Sequence, residues 1–205
     1  MDEASPWRGD APLLLASTSV TRRLLLERAG LPVETEAPCI DERMVEAATP
    51  DRSAREIARR LAREKALAVS RRHPARIVVG ADQTLECEGR LFHKPKDRID
   101  AKEQLMALSD RVHVLSSAFA IARQGAIVRD AGRIARMTVR SLTAEAIEGY
   151  LDLAGDAALQ SVGTYQVEGL GIHLFEHIEG DHSTILGLPL IPLLAALRDM
   201  KHLAF

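Results

Sequence analysis

The chain has 205 residues, 46% of them apolar and 27% charged, and carries a formal net charge of −2. That length sustains one large domain or two lobes sharing a core. A near-neutral balance with seven aromatic residues argues against a nucleic-acid partner, which needs a basic surface and stacking platforms. Two cysteines at no metal-like spacing fit a reducing cytoplasmic setting, and no apolar run approaches the ~18 residues that would call for a membrane.

Residues 1–11 are polar, contain Pro6 and Gly9, and lack the basic start and apolar run of a signal peptide. They are expected to form a disordered tail ahead of a single domain over 12–205, with Trp7 outside the core. Leu13 to Ala16 reads as a short strand. Val20 to Ala29 reads as a helix, with Ser19 as N-cap and Gly30 at its C-terminal turn. Pro32 to Glu36 is a second strand, and Asp41-Glu42 falls in the loop after it. A long helix spans Ser53 to Arg71. The run Ile77-Val78-Val79 has no polar alternation, so Arg76 to Ala81 reads as a strand buried on both faces, with Asp82 where it should stop.

Thr84 to Glu86 is expected as a further strand, turning at Glu88-Gly89-Arg90. Ile99 to Leu108 is a helix. Val112 to Ala122 and Ile127 to Val139 form a long hairpin around Gln124-Gly125. Thr143 caps a helix to Leu153. Gly163, Gly169 and Gly171 mark a turn-rich segment before a strand at Ile172 to Glu176, and Pro189 to Met200 is the last helix. Strands that alternate with helices but also come as hairpins predict an α/β fold with a mixed sheet flanked by helices.

Six groups of residues could carry chemistry. Ser17-Thr18-Ser19 lies at a strand-to-helix junction with Arg22 and Arg23 in the first helical turn. Arginine there opposes the helix dipole, and a bound phosphate would relieve it. Lys65 lies on the apolar stripe of Ile57, Leu61 and Val69, where uncompensated burial is costly, so it either snorkels outward or meets an anion. Asp82 ends a buried strand, where α/β proteins often place ligand crevices. Lys94 lies in Phe92-His93-Lys94-Pro95-Lys96. Asp41-Glu42 with Asp82 could offer oxygen ligands to a hard cation. The loop Gly163-Thr164-Tyr165-Gln166-Val167-Glu168-Gly169 could hold a base. Each is also compatible with an ordinary cap, surface charge or turn.

The ordered set Leu-Ala-Ser-Thr-Ser, Asp41-Glu42, Glu64-Lys65-Ala66, Gly80-Ala81-Asp82-Gln83, Lys94-Pro95, Gly163 to Gly169 and Gly187-Leu188-Pro189 resembles the Maf-like nucleotide pyrophosphatase family, also called septum formation inhibitor-like. The resemblance runs from about Leu13 to Leu197. It implies a two-lobed Maf/inosine-triphosphatase-like α/β fold with a central mixed sheet and a cleft between lobes. It also implies a pyrophosphatase that cleaves a nucleoside triphosphate at the α-phosphorus with a divalent metal, Mg²⁺ or Mn²⁺, and points to a homodimer. By the same resemblance Asp82 is the general base and a metal contact, and Glu42 a metal contact. Ser17, Arg22, Arg23, Lys65, Gln83, Lys94 and Glu168 are substrate contacts.

The sequence makes three departures from the family's usual pattern. Ser19-Val20-Thr21-Arg22 replaces Ser-Pro-Arg-Arg, Gln83 replaces a common threonine, and Glu168 replaces the glutamine of members acting on dTTP and UTP. The last two are similar to the subgroup acting on 7-methyl-GTP. A carboxylate can accept both N1–H and N2–H of guanine, and it favours a base made cationic by N7-methylation. The competing expectation is a nucleotide-binding regulator of cell division with vestigial hydrolysis. Joint retention of Asp82, Lys65 and Lys94 argues against it.

Overall fold

The computed structural model describes residues 5–205. In chain order the elements are β1 (Leu13–Ala16), α1 (Val20–Arg28), β2 (Val33–Thr35), α2 (Glu42–Ala47), α3 (Ala54–Arg72), β3 (Val78–Cys87) and β4 (Arg90–Phe92). They continue with α4 (Arg98–Leu108), β5 (Val112–Arg123), β6 (Ala126–Val139), α5 (Ala144–Ala154), β7 (Phe175–Glu179), α6 (His182–Ile185) and α7 (Leu190–Asp199). Short 3₁₀ turns lie at Gly155–Gln160, Val162–Thr164 and Leu170–Leu174. The seven strands form one sheet in the order β2-β1-β3-β5-β6-β7, with β4 paired to β3. β1 runs parallel to β2 and β3, whereas β4 pairs antiparallel with β3 and β7 with β6, so the sheet is mixed as expected. Among the described residues no helix is long and apolar enough to cross a membrane.

The caps act as their residue types predict. The hydroxyls of Ser19, Ser53 and Thr143 accept from the backbone N–H of Arg22, Glu56 and Ala146, each three residues into its helix. Gly30 takes φ +78°, the left-handed conformation that closes α1.

The chain divides into two compact units. The first comprises residues through Gln83, Ser117–Arg133 and His182–Phe205, and the second Thr84–Ser116 and Ile134–Asp181. In the first unit, Val79 and Ala81 of β3 pack with Leu13, Leu15, Phe119, Leu188, Leu193 and Leu197. Val78 packs on the opposite face with Leu14, Ala16 and Val69. Alternate residues of one strand thus enter two apolar layers, which is why the sequence shows an unbroken apolar run there. In the second unit Leu85, Leu105, Leu108, Leu115, Met137, Ile147 and Leu151 are buried.

Several expectations need correction. Trp7 belongs to the core: it is 8% exposed, stacks on His202, and its indole N–H donates to the Ala11 carbonyl at 2.8 Å. Arg8 N–H and Ala204 N–H bond to the carbonyls of His202 and Pro6, tying residues 6–8 to 202–204. Of the stretch expected as a disordered tail, residues 1–4 lie outside the described residues. β3 does not end at Asp82 but runs through it to Cys87. Asp41-Glu42 is the start of helix α2, not a loop. The strand expected at 172–176 is β7, and Leu170–Leu174 is a 3₁₀ turn.

Candidate active site

The site in the first unit grows from the contact between β3 and α3. Gly80 and Asp82 are two residues apart on a strand and share a face of the sheet. A Cβ at Gly80 would collide with the Ala62 carbonyl and stand 2.5 Å from Ala66 N, so only glycine lets the helix backbone lie this close. That approach brings Lys65, one turn along α3, beside Asp82. Lys65 is 6% exposed and Asp82 6% exposed, and Lys65 Nζ donates to Asp82 Oδ1 at 2.5 Å. The same ammonium lies 2.8 Å from Glu42 Oε1. Lys65 therefore does not snorkel: its charge is met by two carboxylates.

Glu42 is the first residue of α2. Its neighbour Asp41 is occupied as the N-cap and accepts from Met44 N–H at 3.0 Å. Among the described residues no group of three or more His, Cys, Asp or Glu side chains converges on one point.

Burial pushes the Asp82 carboxyl above the ordinary carboxylate range. Lys65 and then Arg22 pull it back, and Glu42 adds a smaller upward push. The cations alone would hold it low; removal from water outweighs them. A carboxyl placed this way holds a proton better than an exposed aspartate.

Arg22 approaches from the start of α1. Its Nε donates to the Gly187 carbonyl at 2.9 Å and its Nη1 to the Ala81 carbonyl at 2.9 Å, with Ser17 Oγ at 3.5 Å. Burial lowers the pKa of its guanidinium, against the fields of Asp82 and Glu42, yet an arginine stays charged at any physiological pH. Ser17 is buried and its hydroxyl accepts from Ser19 N–H at 3.2 Å.

The structure thus sets the Lys65 ammonium between Asp82 and Glu42, and Arg22, beside Ser17, against the carbonyl of Ala81 next to Asp82 on the same strand. The other expected contacts are placed differently. Arg23 pairs with Glu27 along the exposed side of α1 at 3.2 Å. Gln83 uses its amide within the protein, donating to Ser117 Oγ and to the carbonyls of Thr184 and Ile185. Lys94 and Glu168 belong to the second unit. Lys94 is exposed between β4 and α4, and Glu168 is exposed on a turn beyond Tyr165. Sequence reasoning did not single out Ser117 or Thr184. The signal for Ser117 is a hydroxyl pair, Ser116-Ser117, between Leu115 and the apolar run from Ala118 to Ala122 of β5.

Fold and site together define an α/β protein with a buried carboxylate inside a central strand, flanked by the cations of Lys65 and Arg22. The chain belongs to the Maf family: the model described as Maf-like protein matches residues 12–200. A Nitrobacter winogradskyi protein named nucleoside triphosphate pyrophosphatase is 59% identical over 193 residues, 94% of this chain and 96% of its own. One of the same name from Rhodopseudomonas palustris strain BisB18 is 57% identical over 199 residues, 97% of this chain and 98% of its own. A Rhizobium johnstonii protein named 7-methyl-GTP pyrophosphatase is 49% identical over 190 residues, 92% of this chain and 96% of its own.

Proposed function

We propose that this chain is a nucleoside triphosphate pyrophosphatase, a hydrolase of phosphoanhydrides, and that its preferred substrate is 7-methyl-GTP. The observation that carries the reading is the buried Lys65–Asp82 pair, with a carboxyl whose proton affinity is raised by burial.

Asp82 takes the proton of a water whose oxygen bonds to the α-phosphorus. The bond from that phosphorus to the bridging oxygen of the β-phosphate breaks, releasing a nucleoside monophosphate and pyrophosphate. Little covalent chemistry is asked of the protein, so positioning and charge supply the rate. Lys65 has three N–H donors. Two meet Asp82 and Glu42, which leaves one for a phosphate oxygen. Arg22 keeps its Nη2 group for another, and Ser17 and Lys94 are further candidate phosphate contacts.

The donor set also suits Mg²⁺ or Mn²⁺. The Glu42 and Asp82 carboxylates already converge on one cationic group, the Lys65 ammonium. Two carboxylates completed by phosphate and water oxygens match the habit of such ions. When bound, the ion would withdraw charge from the phosphate oxygens.

The guanine preference is supported by Glu168. Its carboxylate can accept two N–H groups from one guanine edge and favours a cationic base. The Rhizobium johnstonii name points the same way. Pyrophosphate release from 7-methyl-GTP, GTP, dTTP, UTP and CTP with Mg²⁺ or Mn²⁺ tests both parts. The expected result is release that favours 7-methyl-GTP, collapses in Asp82→Asn and loses its preference in Glu168→Gln. Preference for dTTP or UTP would sink the substrate assignment. No release from any nucleotide would sink the enzyme itself.

A further inference from the structure

Both neighbours of Asp82 in the chain are tied to one short segment, residues 184–187. On one side the Ala81 carbonyl accepts from Arg22 Nη1, while Arg22 Nε donates to the Gly187 carbonyl. On the other side Gln83 Nε2 donates to the Thr184 carbonyl at 3.1 Å and the Ile185 carbonyl at 2.9 Å. Ser117 on β5 joins the two halves. It is 1% exposed, and its hydroxyl lies 2.9 Å from Gln83 Nε2 and 2.7 Å from the Thr184 carbonyl.

The direction of each bond follows from elementary chemistry. A carbonyl can only accept, so Ser117 must spend its single hydrogen on Thr184. It then accepts from Gln83. The Gln83 amide is locked with its nitrogen inward, because the flipped form would set Oε1 against two carbonyl oxygens. The segment so held ends at Gly187, which takes φ +88° and whose own Cβ, if present, would stand 3.3 Å from Arg22 Nη2 and 3.4 Å from Nε. The glycine therefore leaves room for the guanidinium, and its carbonyl aims it.

We propose that Ser117 is a positioning residue: through Gln83 and the 184–187 segment it holds the Gly187 carbonyl, and hence the Arg22 guanidinium, in place for a substrate phosphate. This rests on the reading of Arg22 as a phosphate contact. Gln83 then acts mainly as a strut within the protein, not as a contact read by the substrate.

The test follows the Arg22 Nε–H resonance by NMR, assigned by its loss in Arg22→Lys, and inorganic tripolyphosphate affinity by calorimetry. Ser117→Ala, and independently Gln83→Met, should speed exchange of that N–H and weaken tripolyphosphate roughly 5–10-fold. In an Arg22→Lys background Ser117→Ala should add nothing. Ser70→Ala, which removes a buried hydroxyl bonded to Gly125 N–H, should leave the Arg22 signal as it is. Unchanged Arg22 exchange in both variants overturns the proposal, as does an equal affinity loss in the Arg22→Lys background. Faster exchange with no tripolyphosphate binding by the unmodified protein overturns the phosphate role of Arg22, and the positioning role with it.

Discussion

Replacing Lys65 by Met keeps an unbranched apolar stem of similar reach and removes the ammonium. In the native chain that ammonium contacts Asp82, with side-chain exposures of 7% and 9%, and Glu42, which at 55% is solvated. Losing the exposed partner matters little. Losing the buried one strands a carboxylate, at a cost of about 3–5 kcal/mol if it stays charged.

Asp82 has an alternative, which is to take up a proton. Its folded-state pKa is already raised by burial, so the folded chain holds that proton more tightly than the unfolded chain does. A raised carboxyl contributes stability that is fullest below the ordinary aspartate range and is lost as pH rises through the folded value. Without Lys65 the folded value moves further up and the loss extends toward neutral pH. Urea unfolding of Lys65→Met should therefore show a deficit of about 3–5 kcal/mol at pH 8. At pH 5 only a poorly paired neutral acid remains, and the deficit should fall to about 1–3 kcal/mol. The acid limb of the pH–rate profile for residual pyrophosphate release should shift upward. A deficit independent of pH, or an acid limb that stays put or moves down, would refute the reasoning.

Three further outcomes follow from the same geometry. Asp82→Asn keeps the shape but not the proton acceptor, so turnover should fall roughly 10²–10⁴-fold while nucleotide affinity, read by calorimetry, changes little. Gly80→Ala drives a methyl into the backbone of α3 at Ala62 and Ala66. It should cost at least about 1–3 kcal/mol in denaturant unfolding and also lower turnover by shifting Lys65 from Asp82, whereas full activity would refute the close-approach argument. His113, fully buried with Nε2 2.6 Å from the Tyr165 hydroxyl, is pushed down to about 4 by burial. A depressed histidine contributes stability above its unfolded value that is lost as pH falls through the folded one. Unfolding free energy should thus drop by about 3 kcal/mol between pH 6.5 and 4, and that drop should vanish in His113→Gln.

Much of the fold was legible because its signals are local. A strand buried on both faces shows as Ile77-Val78-Val79, and caps show as Ser19 and Thr143 ahead of their helices. Lys65 and Asp82 could each be singled out, one as a charge on an apolar stripe and the other as a carboxylate beside a buried strand. Family membership was readable from the order of short motifs, and the match over 12–200 agrees with it.

Contacts between distant segments carry no local signal. Trp7 looks like part of a polar tail because the residues that cover it, His202 and Leu203, arrive from the other end of the chain. Helix α2 is short and has no buried face, so no apolar periodicity announces it. Gln83 has a residue type suited to a ligand, yet its amide donates to Ser117, Thr184 and Ile185, which come from distant parts of the chain. Sequence by itself therefore determined which residue types were available, and where strands and helices could form, because propensity, capping and periodicity act over a few neighbours. Only the tertiary structure decided which charges meet. The Lys65–Asp82 pairing depends on a helix lying against a strand at Gly80, a close approach that the chain makes only once it has folded.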